Sequence, residues 1–213
     1  EVDRILYLDA DTVVTGMLDE LAILPMEGHP LAMGLDSLVR MHKGRLGFTR
    51  ADYYYNSGVI LFSMNEWRRL KCSERISNHV KNVRAWYPSP DQDLLNFVHW
   101  QDTIFVDEAK YGLFSQTAHG FGVIYDEVKE ATAIIHFTGR AKPWTVNLIR
   151  YDIEKIWWEY AKDTPYYYAL LEQVFFQSME STLVERTVNQ LSEENEELKA
   201  LIKKMQSVIE KIG

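Results

Sequence analysis

Cysteine is nearly absent from this sequence, with Cys72 alone among 213 residues. An intrachain disulfide is therefore excluded, which suits a reducing compartment, and Cys72 reads as a small buried hydrophobe. No apolar run approaches the roughly 20 residues needed to span a bilayer, and no charged-then-apolar leader opens the chain. Positive charge is scarce as well: 23 Lys and Arg face 31 Asp and Glu, for a net charge of -8. Without a basic stretch to release counterions, nucleic acid is excluded as a partner. The sequence begins at Glu1 without Met and enters a strand within a few residues. It is therefore expected to be the carboxyl-terminal part of a longer polypeptide. No internal repeat is found.

What remains is globular: 46% hydrophobic and 13% aromatic residues, enough to bury a core. Arg4 to Leu8 is apolar enough for a buried strand and ends in Asp-Ala-Asp-Thr, a polar loop at a strand's carboxyl end. Leu31 to Leu35 and Val59 to Ser63 read as further strands, and Ala131 to Phe137 as another containing His136. Asn65 to Leu70, Ser73 to Trp86, Asp91 to Trp100, Asp152 to Ala161 and Tyr166 to Gln177 read as helices. The alternation predicts an α/β fold over residues 1–180. From Ser181 to Ile212 glycine and proline are missing. There Val188, Asn195, Ile202 and Ile209 recur every seventh residue, and Leu191, Leu198, Met205 and Ile212 do so three positions later. This is an a/d heptad pattern, and Asn195 among β-branched a residues predicts a parallel homodimer through 181–213. The alternative is an amphipathic helix packed on its own domain.

The chemistry concentrates in a few short segments. In an extended Asp9-Ala10-Asp11, side chains two apart point the same way, so both carboxylates can converge on one divalent cation and bridge it to a diphosphate. The bland alternative is a solvated turn. His136, ending its own strand, can complete the metal shell, or can be a satisfied core histidine. The loop after it offers Gly139 for close backbone approach and Lys142 as a point charge for a phosphate oxygen. Tyr53-Tyr54-Tyr55-Asn56-Ser57-Gly58 sets the Asn56 carboxamide beside aromatic faces, which suits sugar hydroxyls; alternatively Asn56 and Gly58 serve a turn that needs positive φ. In Pro90-Asp91-Gln92-Asp93, Ser89 as N-cap, Pro90 at N1 and Gln92 at N3 read as a capping box, a geometry that also aims Asp91 and Gln92 into a cleft. Trp144, Trp157, Trp158 and Tyr166 to Tyr168 can line an acceptor cleft, but at helical spacing most read as core.

Tyr7-Leu8-Asp9-Ala10-Asp11, Tyr55-Asn56-Ser57-Gly58-Val59, Pro90-Asp91-Gln92-Asp93 and His136-Phe137-Thr138-Gly139 with Lys142-Pro143-Trp144 together resemble glycosyltransferase family 8. This is the retaining group that includes bacterial lipopolysaccharide glucosyl- and galactosyltransferases and glycogenin. The resemblance spans about Glu1 to Ala161 and implies a Rossmann-like, GT-A type fold, here partial and followed by a coiled-coil helix. It implies that Asp9, Asp11 and His136 bind Mn²⁺ (or Mg²⁺) chelated by UDP. It also implies that Asn56 and Asp91 contact the donor sugar, Gly139 and Lys142 the diphosphate, and that Gln92 faces the anomeric carbon. Gln92 is either a nucleophile or a stabiliser of an oxocarbenium-like centre; the second is favoured, because a neutral amide is a poor nucleophile. The acceptor implied is a glycan or a lipid-linked glycan, and the setting implied is cytoplasmic, at the inner membrane face. The family carries further strands before the Asp-x-Asp, holding uracil and ribose, so this chain alone is expected to bind UDP-sugar poorly.

Two other readings stand beside this one. A strand followed by D-x-D-T-V also resembles haloacid-dehalogenase-type phosphatases, with Asp9 as nucleophile, but the paired acidic motif that class needs is not in the sequence. The chain can also be a non-catalytic dimerising module built on a truncated transferase fold.

Overall fold

The structure is a computed structural model that describes residues 2–37, 53–82, 87–139, 142–145, 151–179 and 181–212. These divide into two compact units, residues 1–143 with 149–160, and residues 144–148 with 161–213.

The first unit is built on two sheets. One has the order β1-β4-β3-β5, formed by Arg4–Leu8 (β1), Tyr55–Ser63 (β4), Leu31–Leu35 (β3) and Thr103–Phe105 (β5). β4 runs antiparallel to both neighbours, and β3 and β5 are parallel. The second sheet has the order β2-β7-β6, formed by Thr12–Val14 (β2), Ile134–His136 (β7) and Gly112–Phe114 (β6). Helices at Met64–Arg69, Cys72–Asn82, Pro90–His99, Tyr125–Ala131 and Glu154–Ala161 pack around them.

β4 is the spine because both its faces are covered. Val59 and Leu61 join Ala32, Val106 and Ile134 on one side, while Ile60 packs with Leu31, Met33 and Tyr55 on the other. Full burial of each such side chain is worth about 1.5–3 kcal/mol. A strand wet on neither face needs no alternation, so it reads as a continuous apolar run. β1 is different. Leu6 and Leu8 turn to the core, but Ile5 and Tyr7 are exposed, so the fully buried strand expected there is buried on one face only.

Element boundaries shift for local reasons. β4 begins at Tyr55 rather than Val59, because Tyr55 pairs with Leu35 of β3, and the Asn96 amide satisfies its backbone groups: the Asn96 Oδ1 accepts from the Tyr55 amide at 2.7 Å and its Nδ2 donates to the Tyr55 carbonyl at 2.8 Å. The strand expected from Ala131 to Phe137 shrinks to Ile134–His136, and Ala131 instead closes a helix. The helix expected over Asp91 to Trp100 ends at His99 and continues as a 3-10 turn. The last four residues of the helix expected over Ser73 to Trp86 lie outside the described residues. Cys72 is fully buried, as its reading as a small hydrophobe required.

The second unit carries helices at Tyr167–Met179 and Ser181–Ile212, the latter 32 residues without interruption. Val188, Leu191, Leu198, Ile202 and Met205, all a or d positions, are about half exposed or more along it. Tyr166 and Tyr168 are also exposed, which corrects their reading as core; they flank the start of a helix with little charge, where spacing alone does not tell an inner from an outer face. Among the described residues no helix is long and apolar enough to cross a membrane.

Candidate metal and sugar site

The acidic triplet lies where the chain leaves one sheet and enters the other. Leu8 pairs with Val59, and four residues later Thr12 pairs with His136. Asp9–Thr12 is not extended, as the sequence suggested, but turned: the Thr12 amide and hydroxyl both donate to the Asp9 carbonyl, at 3.2 and 2.8 Å. Two contacts fix the turn between the sheets, the Asp9 amide on the Gly58 carbonyl at 2.9 Å and the Phe137 amide on the Asp11 carbonyl at 2.9 Å. The turn, rather than strand alternation, brings the carboxylates together.

They meet at His136, which is buried. Its Nε2 is 3.2 Å from Asp11 Oδ1 and 3.7 Å from Asp9 Oδ2, and one ligand atom from each of the three residues falls within 4.8 Å of the others. Donors on one Mg²⁺- or Ca²⁺-sized cation, each about 2.0–2.6 Å away, lie within about 5 Å of each other. Two carboxylates and an imidazole form a mixed oxygen and nitrogen donor set for one divalent cation. The residues present therefore fit a divalent cation. Among the described residues, His136 Nδ1 is buried without a hydrogen-bond partner, and the ring sits edge-on to Phe114, centroids 5.4 Å apart.

Lys142 completes the group, its ammonium donating to Asp11 Oδ2 and, at 2.8 Å, to the Phe137 carbonyl. Burial alone would raise the Asp11 pKa, but hydrogen bonds from His136 and Lys142 outweigh it and hold the carboxyl down to about 2. Tyr7 donates to Asp9 Oδ1 at 2.7 Å, and that hydrogen bond raises the phenol's pKa. Gly139 has φ of 92°, a left-handed position that admits glycine at little cost, and a Cβ there would come within 3.3 Å of Gln116 Nε2. Arg140 and Ala141, between Gly139 and Lys142, lie outside the described residues.

A second polar group adjoins the first. Gln92, buried on the first turn of the Pro90–His99 helix, accepts through Oε1 from Asn56 Nδ2 at 3.0 Å and the Ser57 amide at 3.1 Å. Its Nε2 donates to Asp36 Oδ2 at 3.0 Å. Asp91 Oδ2 accepts from Ser57 Oγ at 2.9 Å. The structure thus gathers Asn56, Asp91 and Gln92 beside the ends of β3 and β4. It does not form the expected capping box: Gln92 turns away from the helix end, and Asp93 takes its place, accepting from the Ser89 amide at 3.0 Å. The other Asp93 oxygen accepts from Tyr54, whose phenol pKa is pushed up by burial and by that bond. Nor do Asn56 and Gly58 serve a positive-φ turn; both lie within β4.

Asp36 escaped the sequence reading. It is 5% exposed and its amide donates to the Tyr54 carbonyl at 3.0 Å. Its signal was the one that marked Asp9: an acid directly after an apolar strand, here Leu31–Leu35.

With the geometry in hand, comparison with known proteins gives the class. The glycosyl transferase family 8 model matches residues 1–147, and the chain belongs to that family. It is 28% identical over 150 residues to lipopolysaccharide 1,2-glucosyltransferase of Escherichia coli K12, covering 67% of this chain and 44% of that protein. It is 30% identical over 171 residues to glycosyltransferase GlyD of Streptococcus pneumoniae, covering 74% of this chain and 19% of the relative. Among solved structures it resembles the galactosyltransferase LgtC, crystallised with donor and acceptor sugar analogues, at 26% identity and a TM-score of 0.56, over 68% of this chain and 55% of LgtC. The fold is α/β of the GT-A type, as expected. The chain spans less than half the length of the curated relatives cited. Family membership sets aside the phosphatase reading of Asp9.

Proposed function

We propose that this chain is the metal- and sugar-binding part of a retaining hexosyltransferase, which moves a hexose from a UDP-sugar to a glycan or lipid-linked acceptor. The observation that carries the reading is the junction of two polar groups. The Asp9–Asp11–His136 cluster and the Asn56–Gln92–Asp36 network share one strand segment, Asn56 to Gly58. In this reading Asp9, Asp11 and His136 hold Mn²⁺ or Mg²⁺, which when bound neutralises charge developing on the departing diphosphate. Lys142 and the Gly139 backbone receive diphosphate oxygens, and Asn56 and Asp91 receive sugar hydroxyls. Gln92 lies against the anomeric carbon as a stabiliser. Two N–H donors hold its oxygen and a carboxylate holds its nitrogen, which supports an orienting dipole over a nucleophile. The lipopolysaccharide 1,2-glucosyltransferases among the relatives favour a lipid-linked glycan as acceptor, and in this reading the enzyme works at the cytoplasmic membrane face.

The test is UDP-hexose hydrolysis by the full-length parent with and without Mn²⁺, beside its Asp11→Ala variant. The parent is expected to turn over only with metal, and the variant to lose at least about a hundredfold, the usual scale for a lost electrostatic stabiliser. No activity in either would end the enzyme reading and favour the dimerising module, whose observation is the exposed heptad face from Val188 to Met205; equal, measurable rates in the two would overturn the metal role of Asp11.

A further inference from the structure

Gly58 has no charge, no side chain and an ordinary strand conformation, yet three separate ties run through it. Its carbonyl accepts from the Asp9 amide at 2.9 Å, which anchors the first carboxylate. Its amide donates to Asn56 Oδ1 at 2.9 Å, so the Asn56 NH₂ is left facing Gln92. The space where its Cβ would stand is filled by a ring. A Cβ built on Gly58 would lie 2.1 Å from His136 Cε1, 2.5 Å from His136 Nδ1 and 2.9 Å from Asn56 Oδ1.

Those separations are far inside van der Waals contact, and the ring has no slack. His136 is buried in β7, edge-on to Phe114, with its Nε2 toward both carboxylates. A methyl at position 58 must therefore push the imidazole off the carboxylates or push β4 off β7. The first route changes metal-binding geometry, and the second loses the Asp9 anchor as well. Glycine is required here for clearance and not for backbone freedom, since its φ is not in the left-handed region.

We infer that Gly58 is a positioning residue for the metal site: its missing side chain is the seat of the His136 ring, and its two backbone bonds aim Asp9 and Asn56 from the same point. This rests on the metal reading above and adds to it the residue that sets the ligand geometry.

A four-member set tests it: the wild-type chain, Gly58→Ala, His136→Ala and the double variant, each followed by thermal unfolding without metal and by Mn²⁺ titration observed by electron paramagnetic resonance. Gly58→Ala is expected to lower the unfolding midpoint by several degrees and to weaken Mn²⁺ at least tenfold. In the His136→Ala background the same substitution is expected to recover most of its thermal cost, with only the Asn56 contact left to adjust, and to weaken Mn²⁺ no further. An equal thermal cost in both backgrounds would overturn the inference, as would Mn²⁺ affinity in Gly58→Ala within twofold of wild type. If Gly58→Ala does not fold, the double variant decides: folding supports the seat, and failure to fold overturns it. Should the wild-type chain bind no Mn²⁺, the metal reading fails, while the thermal arm still decides the clearance.

Discussion

Lys142 and Asp11 form an ion pair in a site whose residues fit a divalent cation, so the lysine and the cation compete for one carboxylate. A ligand that draws the ammonium away, as a diphosphate would, releases Asp11 to the metal, and the two ligands then help each other by linkage. Lys142→Met is accordingly expected to tighten Mn²⁺ alone by about tenfold, the scale of one charge-assisted contact at about 1.5 kcal/mol, and to weaken Mn²⁺ with diphosphate. Isothermal titration with each ligand set measures both; a looser Mn²⁺ site in the variant would show that the lysine supports the metal and does not compete. At this scale the sequence displayed much of the cluster that the structure gathers. Asp9, Asp11, His136, Asn56, Asp91 and Gln92 were legible because each stands at the end of a strand or the start of a helix. Asp36 and Gly58 were not weighed or were misread. One is a single acid with no motif around it, and the other serves by an absence that only a three-dimensional neighbour makes meaningful.

The Pro90–His99 helix carries Asp91 and Gln92 at one end and His99 at the other. His99 is fully buried beside Trp67, ring centroids 5.5 Å apart, with Nδ1 3.4 Å from Asp102 Oδ2; Arg75 holds that same carboxylate at 2.6 Å, and Cys72 lies against the ring through its backbone. Burial first, and the Arg75 charge second, lower the imidazole's pKa against the pull of Asp102. The unfolded chain then takes up the proton before the folded one does. Stability is full above the usual imidazole value of about 6.5 and declines as pH falls from there toward the lower folded value. Urea unfolding at stepped pH should show that slope, and His99→Gln should flatten it; an unchanged slope would place the acid sensitivity elsewhere. At the scale of elements, β1, β3 and the core of β4 were legible as apolar runs, whereas β2, β5 and β6 were not. Each has three residues, too few for a period to show, and each exists because a neighbouring strand supplies hydrogen-bond partners.

Over the whole molecule, the composition changes at Ser181, whereas the second compact unit takes in residues 144–148 and 161–213. The exposed a and d residues Val188, Leu191, Leu198, Ile202 and Met205 are the surface a parallel dimer would use. Sedimentation velocity of the chain is expected to give a dimer, and Asn195→Leu to give a more stable helix with mixed oligomers, because the buried amide that selects one register is gone. A monomer at all concentrations would remove the dimer. The two units differ in legibility because a heptad repeat is written into consecutive residues, while the candidate site is assembled from four distant segments.

The Lys142–Asp11 pair also bears on handling. Small domains that fold around a structural ion collapse when it is stripped, because unpaired ligands repel. Here Asp11 keeps a cation of the protein's own beside it, and the turn that presents it is fixed by backbone bonds to Gly58 and Phe137. A chelator should silence the site and leave the fold standing: unfolding midpoints in EDTA and in Mn²⁺ should differ by no more than the bound ion's own mass action.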